Sequence, residues 1–125
     1  MPGKLCVLGI AVIVLAVFVQ ADIVPDLVLG KGLLNSGVLT GSDGVAIDPN
    51  SEALFVADTL HNRVLRYENR CTLNSSSSPS VIFGQPNLNS TYENGGANQT
   101  TNQYGLSAPG GIAVDAQGTL WVADW

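Results

Sequence analysis

Two short runs of this chain occur twice, and that recurrence constrains the fold more than any other feature. Gly44-Val45-Ala46-Ile47-Asp48 returns as Gly111-Ile112-Ala113-Val114-Asp115 at an offset of 67, and Leu54-Phe55-Val56-Ala57-Asp58 returns as Leu120-Trp121-Val122-Ala123-Asp124 at an offset of 66. The one-residue slip falls in the turn between the runs. Upstream, Leu27-Val28-Leu29-Gly30 is matched by Val81-Ile82-Phe83-Gly84 at an offset of 54, and Leu39-Thr40-Gly41 by Leu106-Ser107-Ala108 at 67, so the extra 13 residues of the second copy lie between Gly84 and Leu106. Self-similarity at a fixed spacing marks repeat architectures, whose units bury their apolar faces against one another.

Within a unit the pattern is β. Runs rich in Val, Ile, Leu, Phe and Trp are bounded by Asp-Pro-Asn-Ser, Ala-Gln-Gly and Thr-Leu-His-Asn, which are turn-forming clusters. Strands are expected at 44–48, 53–58, 63–68 and 80–84, and again at 111–115 and 119–124. Leu54-Phe55-Val56-Ala57 is apolar at every position, whereas a strand with one solvated face alternates, so this strand needs cover on both sides. Antiparallel succession places His61 and the segment 85–110 at one end of the sheet, and Asn50 and the Ser-rich 74–80 at the other.

Gly-Val-Ala-Ile-Asp-Pro, Leu-Phe-Val-Ala-Asp-Thr and His-Asn-Arg-Val-Leu-Arg-Tyr resemble the NHL repeat, densely over 44–67 and 111–124 and more loosely over 27–41 and 81–109. His61 precedes Asn62, where the family more often has Asn first. The resemblance implies an all-β fold, a β-propeller of four-stranded blades, of which about one and a half are present here. The expected layout is a lead-in over 22–43 with a ring-closing outer strand at 27–30, a first blade over 44–84, a long polar insertion over 85–110, and the start of a second blade over 111–125. Closed propellers use about four to eight blades. Residues 22–125 are therefore expected to form an incomplete ring with open edges that unfolds partly or self-associates.

Residues 1–21 read as a signal peptide. A short start with one cation, Lys4, precedes the uncharged run Leu5 to Val19, and Val19-Gln20-Ala21 supplies residues a signal peptidase accepts, predicting cleavage after Ala21. That 15-residue run is shorter than the ~20 apolar residues that span a bilayer. The address is thus secreted or extracellular; membrane attachment would need an uncleaved signal or a downstream anchor. The remaining 104 residues carry four cations (Lys31, Arg63, Arg66, Arg70) and all ten acids, a balance of −6. No basic stripe remains to displace counterions from phosphates, which argues against nucleic acid as partner. Cleavage removes Cys6 and leaves Cys71 as an unpaired cysteine, which either joins a cysteine outside this chain, the preferred reading, or stays a buried thiol.

Asp58, Asn62 and Arg63 bring an acid, an amide and a guanidinium within six residues. They read best as a structural turn: an Asp opening a tight turn accepts backbone N–H bonds, and an Arg five residues on can fork onto carboxylate or carbonyl oxygens. Asp124 holds the same repeat position as Asp58, and Asp48 and Asp115 form a similar pair. His61 is the only histidine and has no Cys or His at metal-ligand spacing, so neither a metal site nor a catalytic residue is assigned. No cofactor is called for; calcium held by Asp and backbone oxygens is a minor alternative. Asn74-Ser75-Ser76, Asn89-Ser90-Thr91 and Asn98-Gln99-Thr100 are glycosylation acceptors in expected loops. Tyr92 and Tyr104 mark the insertion as the candidate contact loop, the alternative being a solvated, glycan-bearing excursion.

These readings favour an extracellular, non-catalytic propeller module that recognises a protein or a glycan. The alternative is part of a secreted, metal-dependent propeller enzyme, amidating-lyase-like or lactonase-like, which would require His or acidic ligands from several blades.

Overall fold

The computed structural model describes residue 39, residues 41–96 and residues 100–125. The expected signal segment 1–21, the strand at 27–30, Cys6 and Asn98 lie outside these. The described residues are all-β, with antiparallel strands β1 (Ser42–Ile47), β2 (Leu54–Asp58), β3 (Arg63–Tyr67), β4 (Val81–Phe83), β5 (Ile112–Val114) and β6 (Leu120–Val122). β1 to β4 form one sheet in chain order, and β5 and β6 form a second. Each strand lies at its sequence-expected place, to within two residues at either end.

The two sheets begin with the same hairpin. Asp48 accepts the Asn50 N–H at 2.9 Å and the Ser51 hydroxyl, while Asp115 accepts the Gln117 and Thr119 N–H groups at 3.0 and 2.8 Å. Each turn also needs one left-handed residue, supplied by Glu52 (φ 59°) in the first and by Gly118 (φ 84°) in the second. Gly118 holds this conformation without the penalty a Cβ brings. Glu52, which bears that penalty, is tied down by Arg70: its backbone oxygen accepts the Arg70 N–H at 2.9 Å and its carboxylate accepts from Arg70 Nε at 2.6 Å. The second turn is one residue shorter than the first, which is the origin of the slip from 67 to 66.

Register sorts the side chains of β2 onto two buried faces. Val56 faces Leu65 and Leu54 faces Tyr67 across the β2–β3 pair, and these four form one apolar cluster against Leu39, Leu73, Ile82 and Leu88. Ala53, Phe55 and Val64 form the other, which Ala46 extends and onto which Ile112, Val114, Leu120 and Val122 of the second sheet pack. The wholly apolar Leu54–Ala57 run therefore has its cover on both sides, one of them provided by the repeat copy. By repeat position Ile112, Val114, Leu120 and Val122 correspond to Val45, Ile47, Leu54 and Val56. The second sheet thus lays on the first the face whose counterpart in the first sheet points the opposite way. Val45 and Ile47 at one extreme, and Trp121 at the other, stay substantially exposed.

Candidate functional site

The candidate site is built outward from the β2–β3 turn. Thr59–His61 makes one 3₁₀ turn that closes with Asn62 in the left-handed region (φ 53°). Asp58 and Arg63, flanking it, are 0% and 1% exposed, and Arg63 Nε donates to Asp58 Oδ2 at 2.7 Å. His61 Nδ1 lies 3.0 Å from the same oxygen. Arg63 spends a second N–H on Leu88 O at 2.7 Å, so the guanidinium forks between the turn and the insertion.

The neighbouring polar side chains repeat that choice of partner. Asn62 donates to Thr91 O at 2.8 Å and accepts the Ala108 N–H at 2.8 Å; Thr59 Oγ1 donates to Pro109 O at 2.7 Å. Gln85, buried at the start of the insertion, donates from Nε2 to Asn62 O at 3.0 Å and to Tyr92 O at 2.6 Å. Segment 85–109 is therefore tied to the β2–β3 turn by side chains of Thr59, Asn62, Arg63 and Gln85. A net hydrogen bond contributes about 0.5–1.5 kcal/mol, more where a charged group takes part. Asp58 serves this network as the counter-ion of Arg63. Asp124, its repeat equivalent, is exposed and instead accepts the Ser107 N–H at 2.7 Å.

The insertion and the two sheets enclose a cleft of about 510 Å³. Ile82 and Phe83 of β4, Leu106, and Leu120 and Val122 of β6 give it apolar walls, while Gln85, Gln103 and Tyr104 supply polar groups. Gln85 Oε1 is buried without a hydrogen-bond partner among the described residues. The approach of chain segments is close here: Gly84 bridges Gly105, and a Cβ on Gly105 would lie 2.1 Å from the Asn94 carbonyl carbon.

Of the residues expected to matter, Tyr104 lines the cleft and is 79% exposed; Tyr92, 70% exposed, stands on the same insertion but not among the cleft residues. Asn89 is exposed at the insertion end and Asn74 is exposed on the segment between β3 and β4. Asn50 Nδ2 donates to Ala116 O at 3.0 Å, joining the hairpin turns of the two sheets at the end opposite the insertion. Of the two readings of Cys71, the buried free thiol is set aside: Cys71 is disulfide-bonded, with its partner outside the described residues. Gln85 was missed altogether, its one sequence cue being an amide directly after a strand and before Pro86.

The turn carboxylates of the two hairpins are held below the ordinary value of 3.8, Asp48 chiefly by the Ser51 hydroxyl and then the Asn50 N–H, Asp115 chiefly by the Trp121 indole N–H and then the Thr119 N–H. Burial pushes the Tyr67 hydroxyl above its usual range, and the Asp58 charge adds to this. Among the described residues, no three His, Cys, Asp or Glu side chains gather closely enough to hold a metal, and no helix is long and apolar enough to cross a membrane. No family model and no curated protein matches the chain.

Proposed function

We propose that this chain is part of a secreted NHL-type β-propeller that recognises an extracellular protein or glycan through its insertion end, without catalysis. The observation that carries the propeller reading is the contact between the sheets. The face that the second sheet presents to the first is the repeat counterpart of the face on the far side of the first sheet. A contact that one unit makes forward and its copy can make backward is what stacks blades around an axis. Recognition is assigned to the insertion because it is anchored at many points yet displays Tyr92 and Tyr104, and aromatic side chains on a fixed loop are effective contact residues.

The test is binding by the full chain, expressed through a secretory route and displayed multivalently to panels of extracellular proteins and of glycans. Tyr92→Ala and Tyr104→Ala are each expected to weaken retention at least about tenfold, the loss typical of an aromatic hot spot. Retention unaffected by both substitutions would remove the insertion from the recognition role.

A further inference from the structure

Asn94-Gly95 is the one Asn-Gly pair in the sequence, and it lies on the insertion. Such a pair carries chemistry of its own. The glycine backbone nitrogen, with no Cβ crowding it, can attack the asparagine side-chain Cγ. A C–N bond then closes a five-membered imide, the side-chain amide C–N bond breaks, and the displaced nitrogen takes up the Gly95 amide proton and leaves as ammonia. Water adds to one of the two imide carbonyls and cleaves its bond to nitrogen, giving an aspartyl or an isoaspartyl residue. Amide and water become acid and ammonia, with no electron transferred and no other reactant required.

The folded backbone is set against the first step. Glu93–Gly95 closes as a single 3₁₀ turn, and Asn94 within it is left-handed, with φ 56° and ψ 26°. At that ψ, tetrahedral geometry puts Gly95 N on the far side of the Cα–C bond from Cβ, turned away from Cγ. Cyclisation requires the 94–95 peptide to swing through most of a half-turn. Asn94 N–H donates to Leu106 O at 2.9 Å, Asn102 Nδ2 donates to Asn94 O at 2.6 Å, and Gly95 N–H donates to Tyr92 O at 3.3 Å. Asn102 is itself fixed, its Oδ1 accepting the Tyr104 and Gly105 N–H groups at 2.8 and 2.9 Å. Gly105 adds a steric stop: a Cβ there would lie 2.1 Å from the Asn94 carbonyl carbon, so the two backbones touch and the peptide has no room to turn. The lock on Asn94 is thus the returning arm 102–106, and Tyr92 O, through Gln85 Nε2, joins it to the network of the β2–β3 turn.

We propose that Asn94-Gly95 is a latent self-modification site, kept intact while the arm 102–106 covers it and converted once the insertion lifts. The isoaspartyl product makes the opening permanent. It carries an extra methylene in the backbone, for which the contact with Gly105 leaves no space, and it sets a new carboxylate beside exposed Glu93. The inference does not depend on the recognition role of Tyr92 and Tyr104.

The full chain, the full chain in denaturant and a synthetic peptide Tyr-Glu-Asn-Gly-Gly-Ala are incubated side by side at mildly alkaline pH. Mass spectrometry of digests counts conversion at Asn94, and labelling by an isoaspartyl methyltransferase counts the rearranged product. The folded chain reacts only from its opened fraction, so it should convert at least about tenfold more slowly than the peptide, and the denatured chain should match the peptide within about twofold. Asn102→Ala removes the donor to Asn94 O, and Asp58→Ala frees the insertion at its other anchor; each should speed conversion at least about threefold. Asn102→Asp keeps the acceptor for Tyr104 and Gly105 and should speed it less. If a variant loses the amide protection of β2, the comparison of folded chain, denatured chain and peptide decides alone. A folded chain that converts as fast as the peptide, or folded variants that convert no faster than the parent, would overturn the lock. Isoaspartyl chain should exchange its 92–96 amides faster than unconverted chain, and equal exchange would overturn the permanence.

Discussion

Replacing Asp58 by alanine should loosen the insertion more than any surface change. The substitution leaves the Arg63 guanidinium, 1% exposed, without the carboxylate to which its Nε donates at 2.7 Å. Breaking a buried ion pair by deleting one partner costs about 3–5 kcal/mol, because the remaining charge stays desolvated. Arg63 also holds Leu88 O, so if it swings toward water to recover hydration it releases the insertion. At about 1.4 kcal/mol per factor of ten, amide exchange in the tethered part of 85–96 should accelerate by about two to three and a half orders of magnitude. Hydrogen exchange read by mass spectrometry measures this without requiring a single global unfolding transition. Arg66→Ala is the control: it breaks a pair with Glu68, whose side chain is 64% exposed, and such pairs contribute about 0.2–1 kcal/mol, less than about a sixfold change in exchange. An Asp58→Ala variant whose insertion exchanges no faster than that of Arg66→Ala would show that the pair neither suffers desolvation nor positions the loop.

Acid should loosen the hairpin turns in a defined window. Asp48 and Asp115 have folded-state values below 3.8, so their contribution is fully present above that value and is lost as pH falls through the lower folded value; the Trp121 indole N–H resonance should therefore stay constant from pH 7 to about 5 and shift only below pH 4. Glycosidase treatment of secreted protein should reduce its mass by more than one glycan, with Asn74→Gln and Asn89→Gln each removing one; unaltered mobility on changing Asn74, Asn89 and Asn98 together would refute the assignment. Alkylation before reduction should leave Cys71 unlabelled. An intact Met1 on secreted protein would refute cleavage after Ala21.

What was legible in the sequence was what local chemistry decides. The period of the apolar runs and the Asp-led turns placed six strands, and the uninterrupted Leu54–Ala57 run announced a strand covered on both sides. The pairing of Asp58 with Arg63 was within reach because both flank one turn. The anchoring of the insertion was not, since Arg63 meets Leu88 O, Asn62 meets Thr91 O and Gln85 meets Tyr92 O through carbonyls, which every residue carries and no sequence pattern marks. The cleft and the unmatched Gln85 oxygen depend on how the insertion returns past Gly84 to Gly105, a path set by the close approach of glycine backbones.

The contact between the sheets has a direction. One side offers Ala46, Phe55 and Val64, the other Ile112, Val114, Leu120 and Val122, and the two sides are different surfaces that fit each other. A two-fold axis demands the same patch on both partners, so chains associating by repetition of this contact cannot form a closed pair. Trp121 of one copy would meet Val45 and Ile47 of the next, each addition exposing a fresh Trp121. Growth by this route is polar, ending either in a ring when the rotation closes or in a filament when it does not.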